Sequence, residues 1–205
     1  MEEENHGVDG VGIVGHRLTT EEILDLPTLL NSPRGEALVE ALDLPWVPGT
    51  RKTWSLYHVP TMLCNPNAVW PDTFPITTVG HGLWLDVSPH ACEIISGMRW
   101  PTFLTSARHR RAHRRITCRL ARLLGVDVAL WVPDSSYRAS LVRDLVDEAQ
   151  SLDDFTAWLC AEYGPPEEHS VTALEEATPT TSGADLDVPR DTYFWDSFGD
   201  LIPLA

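Results

Sequence analysis

Apolar and polar residues change rhythm along the chain, and each change marks an element. Val11, Gly12, Ile13 and Val14 form a short run rich in β-branched residues that suits a strand. Thr19, Thr20, Glu21 and Glu22 then have the form of a capping box, in which the Thr19 hydroxyl and the Glu22 carboxylate each satisfy a free backbone donor at a helix start. Pro27 limits that helix to a short one. Ser32 and Pro33 open the next, with Ala37, Leu38, Ala41 and Leu42 as its apolar face and Pro45 and Pro48 as its stop. Residues 53–59 alternate as a strand does, placing Trp54, Leu56 and His58 on one side, and a proline-rich loop follows through Pro60, Pro66, Pro71 and Pro75. The pattern over 79–87 predicts one further strand, with Val79, His81, Leu83, Leu85 and Val87 buried and Trp84 and Asp86 opposite.

The second half reads as more helical. Residues 102–124 contain neither proline nor glycine, and Gly125 stands where a C-terminal cap belongs, so this segment is expected to be the longest helix. The apolar run 126–133 predicts a central strand, ending in Asp134, Ser135 and Ser136, which can cap a helix through Ala149. Ser151 starts another helix, with Leu152, Phe155, Trp158, Leu159 and Tyr163 at helical spacing and Gly164, Pro165 and Pro166 as its stop. From 165 to 190 no aromatic residue occurs, and the Pro, Thr, Ser, Glu, Asp and Ala composition is that of a linker, which cannot offset its ordering entropy. Tyr193, Phe194, Trp195, Phe198, Leu201 and Ile202 then interleave with Asp191, Asp196 and Asp200, a segment suited to docking on a surface, in cis or on a partner.

These elements give an α+β fold with about four or five strands in one mixed or antiparallel sheet, covered mainly on one side by the long helix and the two helices after Pro133. A doubly wound sheet is the alternative, but the irregular region between His58 and Val79 supplies no regular crossovers. The organisation follows as a globular domain over 1–164, an acidic linker over 165–190 and an aromatic, acidic docking segment over 191–205.

Composition changes this picture in two ways. The 205 residues carry 15 basic and 30 acidic side chains, a net charge of −15. No apolar run approaches the ~20 residues that cross a bilayer. The acidic opening of Glu2, Glu3 and Glu4 is unlike a secretory signal, so a cytoplasmic protein with no membrane association is expected. The four cysteines, Cys64, Cys92, Cys118 and Cys160, are widely spaced without a C-x-x-C pair, which fits reduced, mostly buried thiols.

The second change is the stretch Arg108 to Arg122, which holds seven of the 15 basic residues and no acidic one. On a helical wheel Thr105, His109, Ala112, His113, Ile116, Leu120, Leu123 and Leu124 share one stripe, predicting that both imidazoles face inward and that all the guanidinium groups face outward. The arginine face can be matched internally by Asp144, Asp147, Glu148, Asp153 and Asp154 or by the acidic tail. It can also dock an acidic protein, or bind phosphate or nucleic acid. Nucleic acid is disfavoured because 30 acidic residues lie elsewhere and no recognised nucleic-acid motif accompanies the arginines.

Candidate chemistry is sparse. His109 and His113, one helical turn apart, are candidate ligands for a divalent metal, but Arg110 stands where H-E-x-x-H has its general base, and a third ligand would have to come from His58, His81, Asp86, His90 or Cys92. His81, His90, Cys92 and Glu93 gather imidazole, thiol and carboxylate near one strand end, and Asp134 follows a predicted central strand. None completes a hydrolase signature, and the bland readings are a structural thiol at Cys92 and a helix cap at Asp134. Of the eight tryptophans, Trp54, Trp131 and Trp158 are expected in the core, whereas Trp46, Trp70 and Trp100 neighbour prolines and are expected to pack loops.

The function expected is that of a non-enzymatic, acidic binding protein without a cofactor. It would neutralise or modulate a protein partner by occlusion, as bacterial immunity proteins do, with acidic residues steering toward a basic partner and exposed aromatics anchoring the contact. Tyr193, Phe194, Trp195, Phe198, Arg111 and Arg115 are its candidate contacts. The alternatives are a metal-assisted hydrolase built on His109 and His113, with Glu93 or Asp134 carrying the proton, and a phosphate- or nucleic-acid-binding helix face over Arg108–Arg122.

Overall fold

The computed structural model describes residues 9–40, 53–58, 76–80, 82–87, 90–134, 151–165, 170–177 and 193–201. Its strands are β1 (Asp9–Gly15), β2 (Ser55–His58), β3 (Ile76–Gly80), β4 (Leu83–Val87), β5 (Ala91–Arg99), β6 (Ala129–Asp134) and β7 (Phe194–Asp196). Its helices are α1 (Thr20–Leu24), α2 (Leu26–Leu30), α3 (Pro33–Glu40), α4 (Trp100–Thr105), α5 (Ala107–Leu123), α6 (Leu152–Tyr163) and α7 (Val171–Ala177), with a 3-10 turn at Gly199–Leu201. The fold is α+β, built on one antiparallel sheet of order β2-β3-β4-β5-β1-β6-β7. Five strands of five or more residues form its body, and the four-residue β2 and three-residue β7 lie at its two ends.

The local signals near the N-terminus act as their chemistry requires. Thr19 and Glu22 form both halves of the capping box, and the Thr19 bonds hold the Glu22 carboxyl below its ordinary value. Pro27 does not end the helical region. It sits in the first turn of α2, where its missing N–H is no loss. Asn31 then closes two bonds on the Trp54 backbone, accepting from its N–H at 2.7 Å and donating to its carbonyl at 2.9 Å, which ties α2 and α3 to the start of β2.

Three expectations about elements change. The strand predicted over 79–87 is a hairpin, because Gly80 pairs with Leu83 across a two-residue loop. The burial of Leu83, Leu85 and Val87 and the exposure of Trp84 are as expected. The helix predicted over 102–124 is two helices, and it begins at Trp100 with Pro101 in its first turn. Ser106 takes an extended backbone (φ −114°, ψ 97°), ends α4, and accepts from the His109 N–H to start α5. Trp100 is thereby a core residue stacked on Phe103 at 5.1 Å rather than a loop-packing one. Gly125 follows α5 with φ of 80°, a left-handed conformation that glycine adopts without penalty.

The sheet is covered on both faces, which the sequence did not reveal. Val14, Leu83, Leu85, Cys92, Ile94, Met98 and Trp131 pack beneath α1, α2, α4 and α5. The alternate residues of the central strands, Val11, Ile13, Ala91, Leu130 and Val132, pack with Phe155 and Leu159 of α6 on the opposite face. The helix predicted to end at Ala149 lies outside the described residues. Within 165–190, where a linker is expected, the described part holds α7, whose Val171 and Leu174 are buried in the larger cluster. Their spacing of three supplies an apolar face that overall composition hides.

The terminal segment is part of this fold. Phe194–Asp196 pairs with Ala129–Trp131, and Ser170 makes a parallel bridge to Trp195 on the outer side of β7. Among the described residues no helix is long and apolar enough to cross a membrane. Gly12 in central β1 faces the Trp131 ring so closely that a Cβ there would lie 2.9 Å from it, and that ring is fully buried. Gly12→Ala is therefore expected to lower the unfolding free energy by about 1–3 kcal/mol. In urea unfolding this appears as a lower midpoint with unchanged slope.

Candidate functional site

The Arg-rich helix α5 is built by its cap and by a buried arc that is turned away from the expected stripe. The buried residues are Arg110, His113, Arg114, Ile116, Thr117, Cys118, Leu120 and Ala121. His113 does face inward, but His109 is only half-buried, with Nδ1 2.7 Å from the Ser106 hydroxyl. Arg110 and Arg114 are 0 % and 1 % exposed, which corrects the expectation that every guanidinium points outward. Helical periodicity ranks arginine as polar and so misplaces it wherever the fold supplies carboxylates for its head.

Those carboxylates come from the C-terminal elements. Arg114 donates through Nε to Asp196 Oδ2 at 2.7 Å and through Nη2 to Asp196 Oδ1 at 2.9 Å, a bidentate pair. It also reaches both oxygens of Asp200, at 2.5 and 2.9 Å. Burial pulls the Arg114 guanidinium toward losing its proton, and the bonds from Asp196 and Asp200 outweigh that pull, so it is held above its ordinary value. The bond from Arg114 in turn holds the Asp200 carboxyl below its own. Asp196 accepts two more bonds, from Trp131 Nε1 at 3.1 Å and from the Phe198 N–H at 2.8 Å. Arg110 donates to Glu175 of α7 at 3.0 Å and to the Phe103 and Leu104 carbonyls that end α4, at 2.7 and 3.1 Å.

Part of the arginine stretch, Arg110, Arg111 and Arg114, is thus matched internally by the tail and Glu175. Asp144, Asp147 and Glu148 lie outside the described residues. Asp153 and Asp154 are exposed in the first turn of α6, where the Ser151 bonds lower the Asp154 carboxyl. Tyr193, Phe194 and Phe198 are buried in their own domain and Trp195 is half-buried, so the tail docks in cis. Tyr193 also donates to the Gly164 carbonyl that ends α6, at 2.9 Å. Glu175 was hidden by the linker composition around it. The signal that would have found it is Val171, Leu174 and Glu175 read as successive positions of one helical face.

The remaining candidates are dispersed. His113 lies with the Ser96 hydroxyl 3.1 Å from Nδ1 and the Trp131 ring edge-on at 4.9 Å. Burial lowers its pKa to about 3, so the imidazole is neutral. Cys92 faces the larger core, where burial first and then Asp86 and Glu93 raise its thiol well above the ordinary value, the opposite of an activated nucleophile. Glu93 is buried on the opposite face of β5, and His90 is exposed before the strand begins. His81 lies outside the described residues, and so do the side chains of His58 and Asp134. Among the described residues no group of three His, Cys, Asp or Glu side chains is placed to hold a metal ion, and Cys92, Cys118 and Cys160 are free thiols.

What α5 leaves in solvent is its other side. Arg108, Arg111, Arg115 and Arg122 are exposed and Arg119 is half-exposed. At ~100° per residue these five fall within an arc of about 80°. Arg111 touches Glu175 at 3.2 Å with its side chain still 57 % exposed. Arg108, Arg115 and Arg122, seven residues apart, make no ion pair among the described residues. The chain has no match among protein-family models, curated proteins or solved structures.

Two predictions follow from the buried cluster. Asp196→Asn leaves Arg114 buried without its bidentate carboxylate partner and is expected to cost about 3–5 kcal/mol, whereas Asp200→Asn, at a side chain 49 % exposed, costs well under half of that. Urea unfolding of both variants checks the order.

The second concerns pH. His113 binds a proton in the unfolded chain from 6.5 downward but in the folded chain only near 3. Stability is therefore lost as pH falls from about 6.5 toward 3, by about 2 kcal/mol from this group between pH 7 and 5. His113→Gln is expected to remove that part of the slope, as measured by urea unfolding at the two pH values.

Proposed function

We propose that this protein is a non-enzymatic, cytoplasmic binding protein that neutralises or modulates a protein partner, in the manner of immunity proteins. The observation that carries the reading is the exposed row of arginines on α5 beside two buried ones. Arg110 and Arg114 are neutralised by Glu175, Asp196 and Asp200, while Arg108, Arg115 and Arg122 keep their charge in solvent without a pair among the described residues. Guanidinium groups suit this use because they stay protonated, are weakly hydrated and meet carboxylates through two parallel bonds.

The contact surface differs from the tail segment favoured by sequence. Tyr193, Phe194 and Phe198 fill the core, so the partner meets the arginine row, Arg111 and Arg115 included. The partner would carry a complementary acidic patch, in place of the basic surface that the acidic composition suggests. Within the screening length the exposed carboxylates of α1, α3 and α6 would repel that patch, so charge sets which face of the chain it meets as well as whether it does.

Affinity capture from cells of the native host, with the full chain and with its Arg108→Gln, Arg115→Gln, Arg122→Gln variant, tests the reading. The expected result is a protein retained in stoichiometric amount by the native chain, insensitive to nuclease and lost with the variant. A catch that survives the substitutions removes the arginine row as the contact. Retention of nucleic acid alone favours the phosphate-binding alternative.

A further inference from the structure

The spacing of the exposed arginines restricts what can lie on them. Arg108, Arg111, Arg115, Arg119 and Arg122 advance by three, four, four and three residues along one 17-residue helix. At ~1.5 Å per residue the row is about 21 Å long, with a mean step of about 5.3 Å. A second α-helix that repeats carboxylates at three- and four-residue intervals has a step of about 5.4 Å, so it stays in phase over the whole row. An extended acidic segment presents alternate side chains every ~6.4–6.8 Å and drifts by about 5 Å over four steps, roughly one full charge out of register. Phosphates of duplex DNA advance ~3.4 Å per nucleotide along each strand and also lose phase.

The borders of the row point the same way. Along one edge Glu175 holds Arg111, Asp200 holds Arg114 with its carboxylate half-exposed, and Glu176 is exposed beside them. A wide polyanion laid across α5 would meet all of those carboxylates, whereas a single helix lying along the row meets Arg108, Arg115 and Arg122 and passes Glu175 only at Arg111.

Resting on the binding function proposed above, we infer that the arginine row of α5 seats an acidic α-helix of the partner, whose Asp or Glu side chains repeat at three- and four-residue spacing on one face. The two helices lie side by side, carboxylate to guanidinium, in the manner of the charged flanks of a coiled coil. Arg108, Arg115 and Arg122 are the anchoring contacts. Arg111 keeps Glu175 and adds a second carboxylate.

Two helical peptides of identical composition test this. One carries five glutamates at three-, four-, four- and three-residue spacing on one face, and the other carries the same five distributed around the helix. Circular dichroism establishes equal helicity, and fluorescence anisotropy measures binding to the full-length protein. The aligned peptide is expected to bind about tenfold more tightly than its isomer. Its affinity should fall between about 0.1 and 0.5 M salt, and it should be lost with the Arg108→Gln, Arg115→Gln, Arg122→Gln variant at unchanged thermal midpoint.

Equal affinity of the two isomers, no detectable binding of either, or displacement of the aligned peptide by a single-stranded oligonucleotide of equal charge overturns the inference. If the isomers are equivalent while host-protein capture still depends on the arginine row, the helix is wrong and the binding function stands. If capture is independent of the row, the row is not the contact and the helix falls with it, and only if no host protein is captured does the binding reading fall.

Discussion

Asp196 is the point at which the two ends of the chain's charge distribution meet. A carboxylate buried to this extent is costly to desolvate, and its four hydrogen bonds, two from Arg114 and one each from Trp131 and the Phe198 backbone, offset that cost. Each partner needs the contact for its own reason. Arg114 is drawn inward with the apolar side of α5 and has to find an anion there, and the Trp131 indole N–H is buried with its ring. Phe198, the one described non-glycine residue with positive φ, at 56°, is held in that conformation by the bond its N–H donates to Asp196 and by the burial of its ring.

From that contact the architecture of the C-terminal half follows. Once Asp196 is anchored on α5, the preceding residues lie along β6, and Phe194 and Tyr193 point to opposite faces of the sheet, one into each apolar cluster. The sheet gains a short end strand whose outer side is bridged by Ser170, so the edge of β6 is not left open to a foreign strand. Glu175 then falls beside Arg110, whose other donors close the free carbonyls at the end of α4. One helix therefore organises both the α4 terminus and the tail.

Much of this was legible in sequence where the signal is local. The capping box at Thr19, the helix start at Ser151, the stop at Gly125, and the alternation of Leu83, Leu85 and Val87 depend on neighbouring residues only, and each does in the structure what its chemistry requires. What was not legible depends on partners distant in the chain. Arg114 and Asp196 are 82 residues apart, so no periodicity could announce that Arg114 is a core residue. Ser106 is tolerated inside a helix as well as favoured at a cap, so its identity alone does not announce the extended backbone that divides α4 from α5. The assignment of α6 to the far face of the sheet is likewise a tertiary matter, since its apolar stripe would suit either face.

The same division between buried and exposed guanidinium groups explains how an acidic protein can keep a cationic surface. Glu21, Glu22, Asp25, Glu36, Asp153, Asp154 and Glu162 are exposed on or beside α1, α3 and α6, elements other than the arginine helix. Screening confines their influence to about 8 Å at physiological ionic strength. Beyond that distance a partner senses little of the net charge, and within it the nearest groups dominate. If Arg110 and Arg114 lacked their internal carboxylates, the seven cations of α5 would repel one another and the helix would carry too much desolvated charge to pack on the sheet. Neutralising the inner two is the condition under which the outer row can remain charged on a folded helix, so the tail contact maintains both the fold and the surface that α5 presents.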